Sequence, residues 1–219
     1  MNLLLRFARL APLLILALLS TGEAAQTALR SEVVRLDSPE PVATGERIEV
    51  LEFFYYACPI CYELQPHMSR WLIQAPEYVA LRRIPELSSE NWEPFAKLYF
   101  TLETLVQVTR LHWPVYDDFH FDGVKLNEEA VMLEWVSRNG VDRQQFAAVY
   151  ASDEVKEKII RAREMMKRYD VRGVPTIVVD GKYLSSARLA GGAKDADADR
   201  RRTGAPGAQR TALARGGLR

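Results

Sequence analysis

Residues 52–66 read EFFYYACPICYELQP, an apolar and aromatic run that leads directly into two cysteines separated by two residues. Residues 48–56, IEVLEFFYY, have the β-branched and aromatic composition of a buried strand. Pro59 suits the first turn of a helix, where its missing N–H group costs nothing, and residues 62–73 continue with helical periodicity. The sequence therefore predicts a strand followed at once by a helix that begins at the CPIC sequence.

This placement gives the two cysteines different chemistry. The N-terminus of a helix offers unpaired N–H groups and a positive dipole end that stabilise a thiolate, so Cys58 is predicted to be an exposed nucleophile. Cys61 lies one turn into the helix, and it is predicted to be buried and to resolve the mixed disulfide by pairing with Cys58. Two alternatives stay open on these residues alone, an inert structural disulfide and half of a zinc site.

The remaining strands are predicted from three further stretches. Residues 78–84 form a second strand candidate, and residues 174–179, VPTIVV, form a third. Asp180-Gly181 is a two-residue turn signal, and residues 182–184 begin the returning strand of a hairpin. The order of strand, helix and strand, followed much later by a hairpin, predicts a thioredoxin-like α/β domain.

Residues between the second strand and the hairpin have helical periodicity. One helix is predicted at 92–109 and a shorter one at 114–121, and N-cap residues are predicted at Asn127, Asp142 and Ser152. About eighty helical residues exceed what a simple crossover needs, so we expect an inserted all-helical subdomain. Trp92, Trp113 and Tyr116 are expected in its core, whereas His67, His112 and His120 are expected at the surface or at helix ends.

Composition excludes several classes of protein. The 219 residues contain 29 Lys and Arg and 29 Asp and Glu, so the formal net charge is zero and gives no electrostatic reason to expect nucleic acid. With only two cysteines and three histidines, neither a disulfide framework nor a four-cysteine zinc site is possible. No metal and no other cofactor is expected.

The first 24 residues have the pattern of a secretory signal peptide. Arg6 and Arg9 make the start positive, a ten-residue apolar run follows, and small residues precede a cleavage site near Ala24. The apolar run is much shorter than the ~20 residues of a membrane-spanning helix. We therefore expect an exported protein, in a compartment where disulfides persist.

Residues 193–219 have a composition that cannot build a core. They include seven Ala, six Arg, four Gly and three Asp, and they lack Val, Ile, Phe, Tyr, Trp and Met. The tail is predicted to be disordered. Because GC-rich DNA read in a wrong frame encodes such residues, a frameshift near residues 187–193 is our hypothesis, and a basic interaction tail is the alternative.

Two segments together resemble the DsbA-type thiol:disulfide oxidoreductases of the bacterial periplasm. The first is the CPIC segment at 52–66, and the second is GVPTIVVDGKY at 173–183, which resembles the cis-proline loop and hairpin of that family. The helical residues between them also fit the family. The resemblance covers residues ~30 to 192, and it implies a thioredoxin-like fold and donation of a disulfide to reduced secreted proteins.

The resemblance also implies roles for individual residues. Cys58 matches the nucleophile and Cys61 the buried cysteine of the redox-active disulfide, Pro175 matches the cis-proline that faces it, and Glu52 matches a buried acid that moves protons to or from Cys61. A satisfied core carboxylate is the alternative for Glu52. Substrate contacts are expected at three apolar positions near Cys58, with further apolar surface from three tyrosines: Pro59, Ile60 and Val174, and Tyr55, Tyr56 and Tyr62. The alternative is that several of these side chains belong to the core.

The implied domain organisation has five parts. They are a signal peptide at 1–24, a first thioredoxin-like part with the CxxC motif at 25–87, a helical insertion at 88–170, a second thioredoxin-like part with the cis-proline loop and hairpin at 171–192, and a low-complexity tail at 193–219. The implied partners are reduced, unfolded secreted polypeptides and a DsbB-type membrane oxidase, and the chain is expected to be a monomer.

Two departures from the family pattern bear on the direction of the reaction. Ile60 stands where the best-known members have His, which removes a cation that would stabilise the Cys58 thiolate and so should make the disulfide less oxidising. Pro66 is more like thioredoxin. These departures favour the first alternative function, a periplasmic reductant or cytochrome-maturation protein.

Two further alternatives remain. One is a binding module with a structural disulfide, and the other, suggested by the tail alone, is a C-terminally altered product without function.

Overall fold

The computed structural model describes residues 32–191, and these residues build one mixed sheet with helices around it. The strands lie in the order β1-β5-β4-β2-β3. Strand β2 is parallel to β3 and antiparallel to β4, and β5 is antiparallel to both β4 and β1. The strands are β1 Val34–Arg35, β2 Ile48–Phe54, β3 Val79–Pro85, β4 Thr176–Val179 and β5 Tyr183–Ser186.

The helices follow β2, fill the segment between β3 and β4, and come again after β5. Their bounds are α1 Pro59–Gln74, α2 Glu93–Thr104, α3 Val108–His120, α4 Glu129–Arg138, α5 Arg143–Tyr150, α6 Asp153–Arg168 and α7 Ala187–Gly191, with a 3-10 turn at Glu90–Trp92. Within residues 32–191, none of the helices has the length and apolar character needed to cross a membrane.

Strand β2 is a central strand of the sheet, because it is hydrogen-bonded to β3 on one side and to β4 on the other. Leu51, Phe53 and Phe54 are almost completely buried. The parallel neighbour β3 is reached through α1, which is the crossover that a parallel pair requires. This arrangement presents the end of β2, and the turn that follows it, at one edge of the sheet.

The hairpin between β4 and β5 is the turn that the sequence predicts. Asp180 and Gly181 both have positive φ, 53° and 60°, as a two-residue hairpin loop demands. A Cβ atom on Gly181 would lie 2.1 Å from the carbonyl oxygen of Glu40, whose N–H donates to the Gly181 carbonyl at 2.9 Å. The segment before β2 is therefore fitted closely against this turn.

Two helix predictions were wrong in their bounds. The predicted helix at 92–109 ends at Thr104, because the chain turns at Val106, which has φ 56°. The next helix begins at Val108, six residues before the predicted start, and it contains Pro114 inside its second turn. A turn without glycine or proline has no strong signal in the sequence. The helical periodicity of the sequence therefore continues through the turn at Val106 and conceals the break between the two helices.

The helix N-termini follow the predictions more closely. The side chains of Asp142 and Ser152 accept hydrogen bonds from the N–H groups of Gln145 and Val155, so both predicted N-caps are confirmed. The predicted cap at Asn127 was wrong by one residue, because Glu128 is the last residue with extended backbone before α4.

The mixed sheet with its helical segment between β3 and β4 confirms the predicted fold class, a thioredoxin-like α/β domain with inserted helices. Helices α2 to α6 all lie within the predicted insertion at 88–170. The division into domains stays a prediction. The predicted signal peptide, its cleavage near Ala24, and the tail at 193–219 with its proposed frameshift lie outside the described residues.

Candidate active site

Cys58 is the N-cap residue of α1. It has extended backbone at φ −86° and ψ 117°, and its Sγ accepts a hydrogen bond from the N–H of Cys61 at 3.4 Å. The N–H of Cys58 donates to the carbonyl of Tyr55 at 3.0 Å, which closes the turn after β2. Pro59 occupies the first helical turn and is exposed. A sulfur in this position meets the N–H groups and the dipole of the helix N-terminus.

Cys61 lies one turn further along and is completely buried, as predicted, whereas Cys58 is half-buried. Burial raises the pKa of the Cys61 thiol far above its usual range, and a hydrogen bond with Cys58 adds to the effect. The two side chains are therefore in contact, and Cys61 is held as a neutral thiol. This asymmetry suits a dithiol in which one sulfur is accessible for exchange and the other is released and kept as a neutral thiol.

The loop before β4 brings the second predicted segment to the cysteines. The Val174–Pro175 peptide bond is cis. The Sγ of Cys58 lies 3.7 Å from the carbonyl oxygen of Val174, so the loop faces the nucleophilic sulfur directly. Pro175 is buried and Val174 half-buried. The structure thus brings together Cys58, Val174 and Pro175, which are more than a hundred residues apart in sequence.

A groove of about 510 Å³ extends from this point along the cis-proline loop. Ile60 forms one end of it, and 38% of that side chain is exposed. The groove is lined mainly by apolar side chains, with Asp170 and Arg172 at its rim; among the apolar ones are Val34, Val171, Val174, Leu184 and Leu189. A shallow apolar surface next to a reactive sulfur suits an extended polypeptide with varied side chains.

Glu52 lies in β2 and has no exposed surface. One carboxylate oxygen accepts from the side chain of Gln65 at 2.7 Å, and the other pairs with Arg83 at 2.8 Å. Arg83 is the residue directly opposite Glu52 on β3. Both oxygens have hydrogen-bond partners, which agrees with the alternative that Glu52 is a core carboxylate. The charge of Glu52 also contributes to the raised pKa of Cys61.

Aromatic side chains just before and just after the cysteines in the sequence stack on residues of the inserted segment. Tyr55 stacks on Trp92 with ring centroids 4.1 Å apart. Tyr62 lies between Trp113 and His120, at 5.3 Å and 4.8 Å. The expectation that Trp113 belongs to the core was wrong, because 39% of it is exposed and its ring covers Tyr62 instead. The predicted surface role of Tyr55 and Tyr62 fits their half-buried positions.

Tyr56 belongs to the core, which was the alternative to a surface position beside Cys58. It is completely buried, and its hydroxyl bonds to Nδ1 of His112 at 2.9 Å. Its ring packs edge-on against Phe54 and Tyr116 at 5.1 Å and 4.8 Å. Alternation along the end of β2 points this side chain into the interior, while its neighbour Tyr55 points outward.

His112 was also wrongly predicted to lie at the surface, since it is buried in α3 with 7% exposure and its Nε2 has no partner among residues 32–191. Burial, and secondarily the charge of Arg83, lower the pKa of His112 well below its usual range. His120 ends the same helix and donates to the Tyr56 carbonyl at 2.7 Å. The spacing of four between His112, Tyr116 and His120 was a signal for one shared helix face.

A thioredoxin-like sheet, a CxxC dithiol that begins a helix, and a cis-proline loop against the first sulfur define the class of thioredoxin-fold dithiol oxidoreductases. The DSBA-like thioredoxin domain family matches residues 80–199. The thiol:disulfide interchange protein DsbA of Azotobacter vinelandii is 36% identical over 161 residues, which cover 74% of this chain and 75% of that protein. The chain belongs to the DsbA-like family, as its sequence motifs predicted.

Solved structures agree with this assignment. The crystal structure of Pseudomonas aeruginosa DsbA matches with a TM-score of 0.69 and 34% identity, and the match covers 80% of this chain and 94% of that one. A second sequence relative, DsbA of Pseudomonas syringae pv. tomato, is 35% identical over 161 residues, covering 74% of this chain and 75% of that protein. The chain is therefore a thiol:disulfide oxidoreductase of DsbA type.

Proposed function

We propose that Cys58 and Cys61 form the disulfide that this chain donates to reduced polypeptides, with Cys58 as the sulfur that is attacked. The observation that carries the proposal is the position of Cys58 as N-cap of α1, in contact with both Cys61 and the Val174 carbonyl. A substrate that approaches along the cis-proline loop meets this sulfur first.

The reaction has two exchange steps. A substrate thiolate attacks the Sγ of Cys58, the Cys58–Cys61 bond breaks, and Cys61 leaves and takes up a proton. A second substrate thiolate then attacks the substrate sulfur bound to Cys58, which forms the substrate disulfide and releases Cys58. The enzyme gains the two electrons that the substrate loses. Because burial raises the pKa of Cys61, that sulfur stays protonated and does not reverse the first step.

The substrate is held by its backbone and by apolar contacts. Once Cys58 is in the disulfide it has no thiol hydrogen to donate, so the Val174 carbonyl can pair instead with an extended substrate chain, which is a sequence-independent mode of recognition. Pro59, Ile60 and the groove beside them accept apolar side chains. Reduced, unfolded polypeptides present both features, so they are the proposed substrates.

Glu52 acts, in this proposal, through its charge on Cys61. Its carboxylate is fixed by Gln65 and Arg83, and it lies beneath the dithiol, where it raises the pKa of Cys61. A neutral Cys61 is the better product of disulfide donation. Replacing Glu52 by Gln keeps the side chain's shape and tests this effect on the reduction potential.

The place of action and the partners complete the proposal. The pattern at 1–24 supports export, and in an oxidising compartment the chain acts as a monomer. Each turnover leaves the chain reduced, so a membrane oxidase of DsbB type is the proposed partner that restores the disulfide.

Two matched variants test the assignment of the cysteines. The chain with Cys61→Ser should retain a stable mixed disulfide between Cys58 and a cysteine-containing peptide, detected by mass spectrometry, whereas Cys58→Ser should retain none. Equal trapping by both variants would refute Cys58 as the attacked sulfur. Equilibration of the full chain with glutathione then gives the direction: a potential near that of DsbA, about −120 mV, supports donation, and one near thioredoxin, about −270 mV, supports the reductant.

A further inference from the structure

Glu86 is a buried carboxyl at the edge of the sheet that carries Cys58. It follows β3 directly, and its N–H donates to the carbonyl of Phe54, the last residue of β2, at 2.7 Å. Only 1% of the residue is exposed. Glu86 therefore lies beside the turn of residues 55–57 that connects β2 to Cys58, on the side away from the cis-proline loop.

The hydrogen bonds of this carboxyl differ from those of Glu52. One oxygen, Oε1, accepts from the N–H and the hydroxyl of Ser88. The other, Oε2, is buried and has no partner among residues 32–191. No salt bridge within that range involves Glu86, whereas Glu52 and Glu49 are each paired with an arginine. A buried carboxyl without a cation is costly to ionise.

Burial raises the pKa of Glu86 to about 7, and the Ser88 N–H opposes part of that rise. Arg163 of α6 packs against the loop that follows Glu86: one of its nitrogens donates to the Leu87 carbonyl at 3.1 Å, and the other pairs with Glu93 at 2.8 Å. Its charge is thus balanced by another acid. The carboxyl of Glu86 therefore changes its charge within the neutral range.

Tyr55 connects this carboxyl with the reactive sulfur. Burial raises the pKa of Tyr55 to about 12, and the charges of Glu86 and then Cys58 add to the rise. The Tyr55 ring is fixed by its stack on Trp92, and its carbonyl accepts from the N–H of Cys58. Glu86, directly after β3, and Cys58, the N-cap of α1, both act on this one phenol, so the Tyr55 ring lies within electrostatic range of both groups.

We propose that Glu86 is a redox-linked positioning residue, a carboxyl that takes up a proton when the Cys58–Cys61 disulfide is reduced and releases it on reoxidation. Two negative charges, a Cys58 thiolate and a Glu86 carboxylate, repel each other at this buried edge of the sheet. Oxidation converts the thiolate into a disulfide sulfur and so removes the repulsion. The proposal rests on the proposed function of the dithiol.

A substrate dithiol brings two protons and gives two electrons; its disulfide forms and the Cys58–Cys61 bond breaks. One proton stays on Cys61 as a thiol, the second is taken by Glu86, and Cys58 remains as the thiolate. The negative charge that was on Glu86 is then on Cys58, so the total charge of the site is unchanged.

The sign of the effect on the redox equilibrium follows from this. Above about pH 7 the Glu86 charge destabilises the reduced form, so the native chain is less oxidising than a chain with Glu86→Gln. Below about pH 6 Glu86 is protonated and the two chains should agree. We expect the two chains to differ by roughly fivefold or more in the equilibrium constant with glutathione at pH 8.5, because the repulsion between the thiolate and the carboxylate is weakly screened at a buried site.

The experiment measures that constant for the full chain from pH 5.5 to 8.5. Three chains are compared, the native one, Glu86→Gln, and the control Glu90→Gln, which removes an exposed carboxylate from the same loop. We expect the ratio of Glu86→Gln to native to rise through about pH 7 and the control ratio to stay at one. A ratio for Glu86→Gln that is constant with pH overturns the proposal.

A second measurement is independent of the stability of that variant. The Glu86 carboxyl carbon, labelled with ¹³C, should titrate at higher pH in the reduced than in the oxidised chain, and Ser88→Ala should move both titrations to still higher pH. Titration at the same pH in both redox states refutes the linkage. If the native chain does not exchange with glutathione at all, the proposed function fails; if it exchanges with these pH dependences absent, only the role of Glu86 fails.

Discussion

The Sγ of Cys58 lies 3.7 Å from the carbonyl oxygen of Val174, although 116 residues separate them in the sequence. This contact joins the start of α1 to the loop before β4, and it makes one site of two short sequence motifs. Since the sulfur is approached between that loop and α1, residues at the start of α1 control both the thiolate and the substrate. Ile60 is the residue best placed to do so, because it is partly exposed and lines the adjoining groove.

Replacing Ile60 by His should make the disulfide more oxidising. An imidazolium near the helix N-terminus stabilises the Cys58 thiolate, and a stabilised thiolate favours the reduced form. We expect a shift of about 30 mV or more, which corresponds to tenfold in the equilibrium constant with glutathione. Titration against glutathione, followed by tryptophan fluorescence, measures it.

Ile60→Val is the matched control for this substitution, because it keeps an apolar side chain that cannot carry charge. Its potential should stay at the native value. The same shift in both variants would show that packing at the groove, and not the charge, sets the potential.

His112 should make the fold sensitive to acid. Its pKa is lowered by burial and by the charge of Arg83, so it is neutral in the folded state and takes up a proton on unfolding below about pH 6.5. The free energy of unfolding is therefore unaffected by His112 above that pH. Below it, the free energy of unfolding falls with the pH by up to about 1.4 kcal/mol per pH unit. Urea unfolding at pH 7.5, 6.5, 5.5 and 4.5 measures the slope.

The variant His112→Phe separates this titration from packing. Loss of the bond to the Tyr56 hydroxyl should destabilise it by about 1–3 kcal/mol at pH 7.5, but its stability should fall less steeply with acid than that of the native chain. His67→Ala changes an exposed histidine and should leave the slope unaltered. Parallel slopes for the native and His112→Phe chains would contradict the prediction.

The parts of the fold that local sequence could predict are those with local causes. The strand before CPIC, Pro59 in the first turn, and the Asp180-Gly181 hairpin each have residues whose backbone preferences leave little choice. The position of Cys58 at a helix N-terminus followed from the same residues. Its contact with Val174 followed only from the resemblance to a family, since no local pattern joins two distant loops.

The residues that sequence analysis misplaced are those whose environment is assembled from several elements. Tyr56 and His112 bond to each other across 56 residues, and this hydrogen bond between distant elements has no signal in the local sequence. In the sequence, Glu86 looks like an ordinary polar residue after a strand. Its burial results from packing against β2 and from the turn at Ser88, and neither is visible in the sequence. Charge and polarity predict exposure by default, so buried functional polar residues are the ones such reasoning loses.

Gly181→Ala should destabilise the fold more than Gly140→Ala. Both glycines have positive φ, 60° and 73°, so alanine at either position costs about 1 kcal/mol through the backbone. A Cβ at position 140 meets no atom within 4 Å, whereas at 181 it meets the Glu40 carbonyl at 2.1 Å. We expect a further ~1–3 kcal/mol at 181, measured by urea unfolding.

Limited proteolysis distinguishes the cause of this difference. If Glu40 is displaced, the segment between β1 and β2 should become more sensitive to protease in Gly181→Ala and stay unchanged in Gly140→Ala. Equal losses of stability in the two variants would show that the close approach of Glu40 adds nothing to the backbone effect.

Removing Arg83 should be strongly destabilising, because it leaves the Glu52 carboxylate buried without its counter-ion. The side chains are 14% and 0% exposed and are directly opposite each other on β3 and β2. We expect Arg83→Met to lose about 3–5 kcal/mol in urea unfolding. Adding Glu52→Gln removes the uncompensated charge, so the double variant should recover much of that loss. The exposed pair of Arg138 and Glu134 is the control, and Arg138→Met should cost less than about 1 kcal/mol. A double variant no more stable than Arg83→Met would mean that packing of the arginine, and not the pairing of charges, holds this part of the sheet beneath the cysteines.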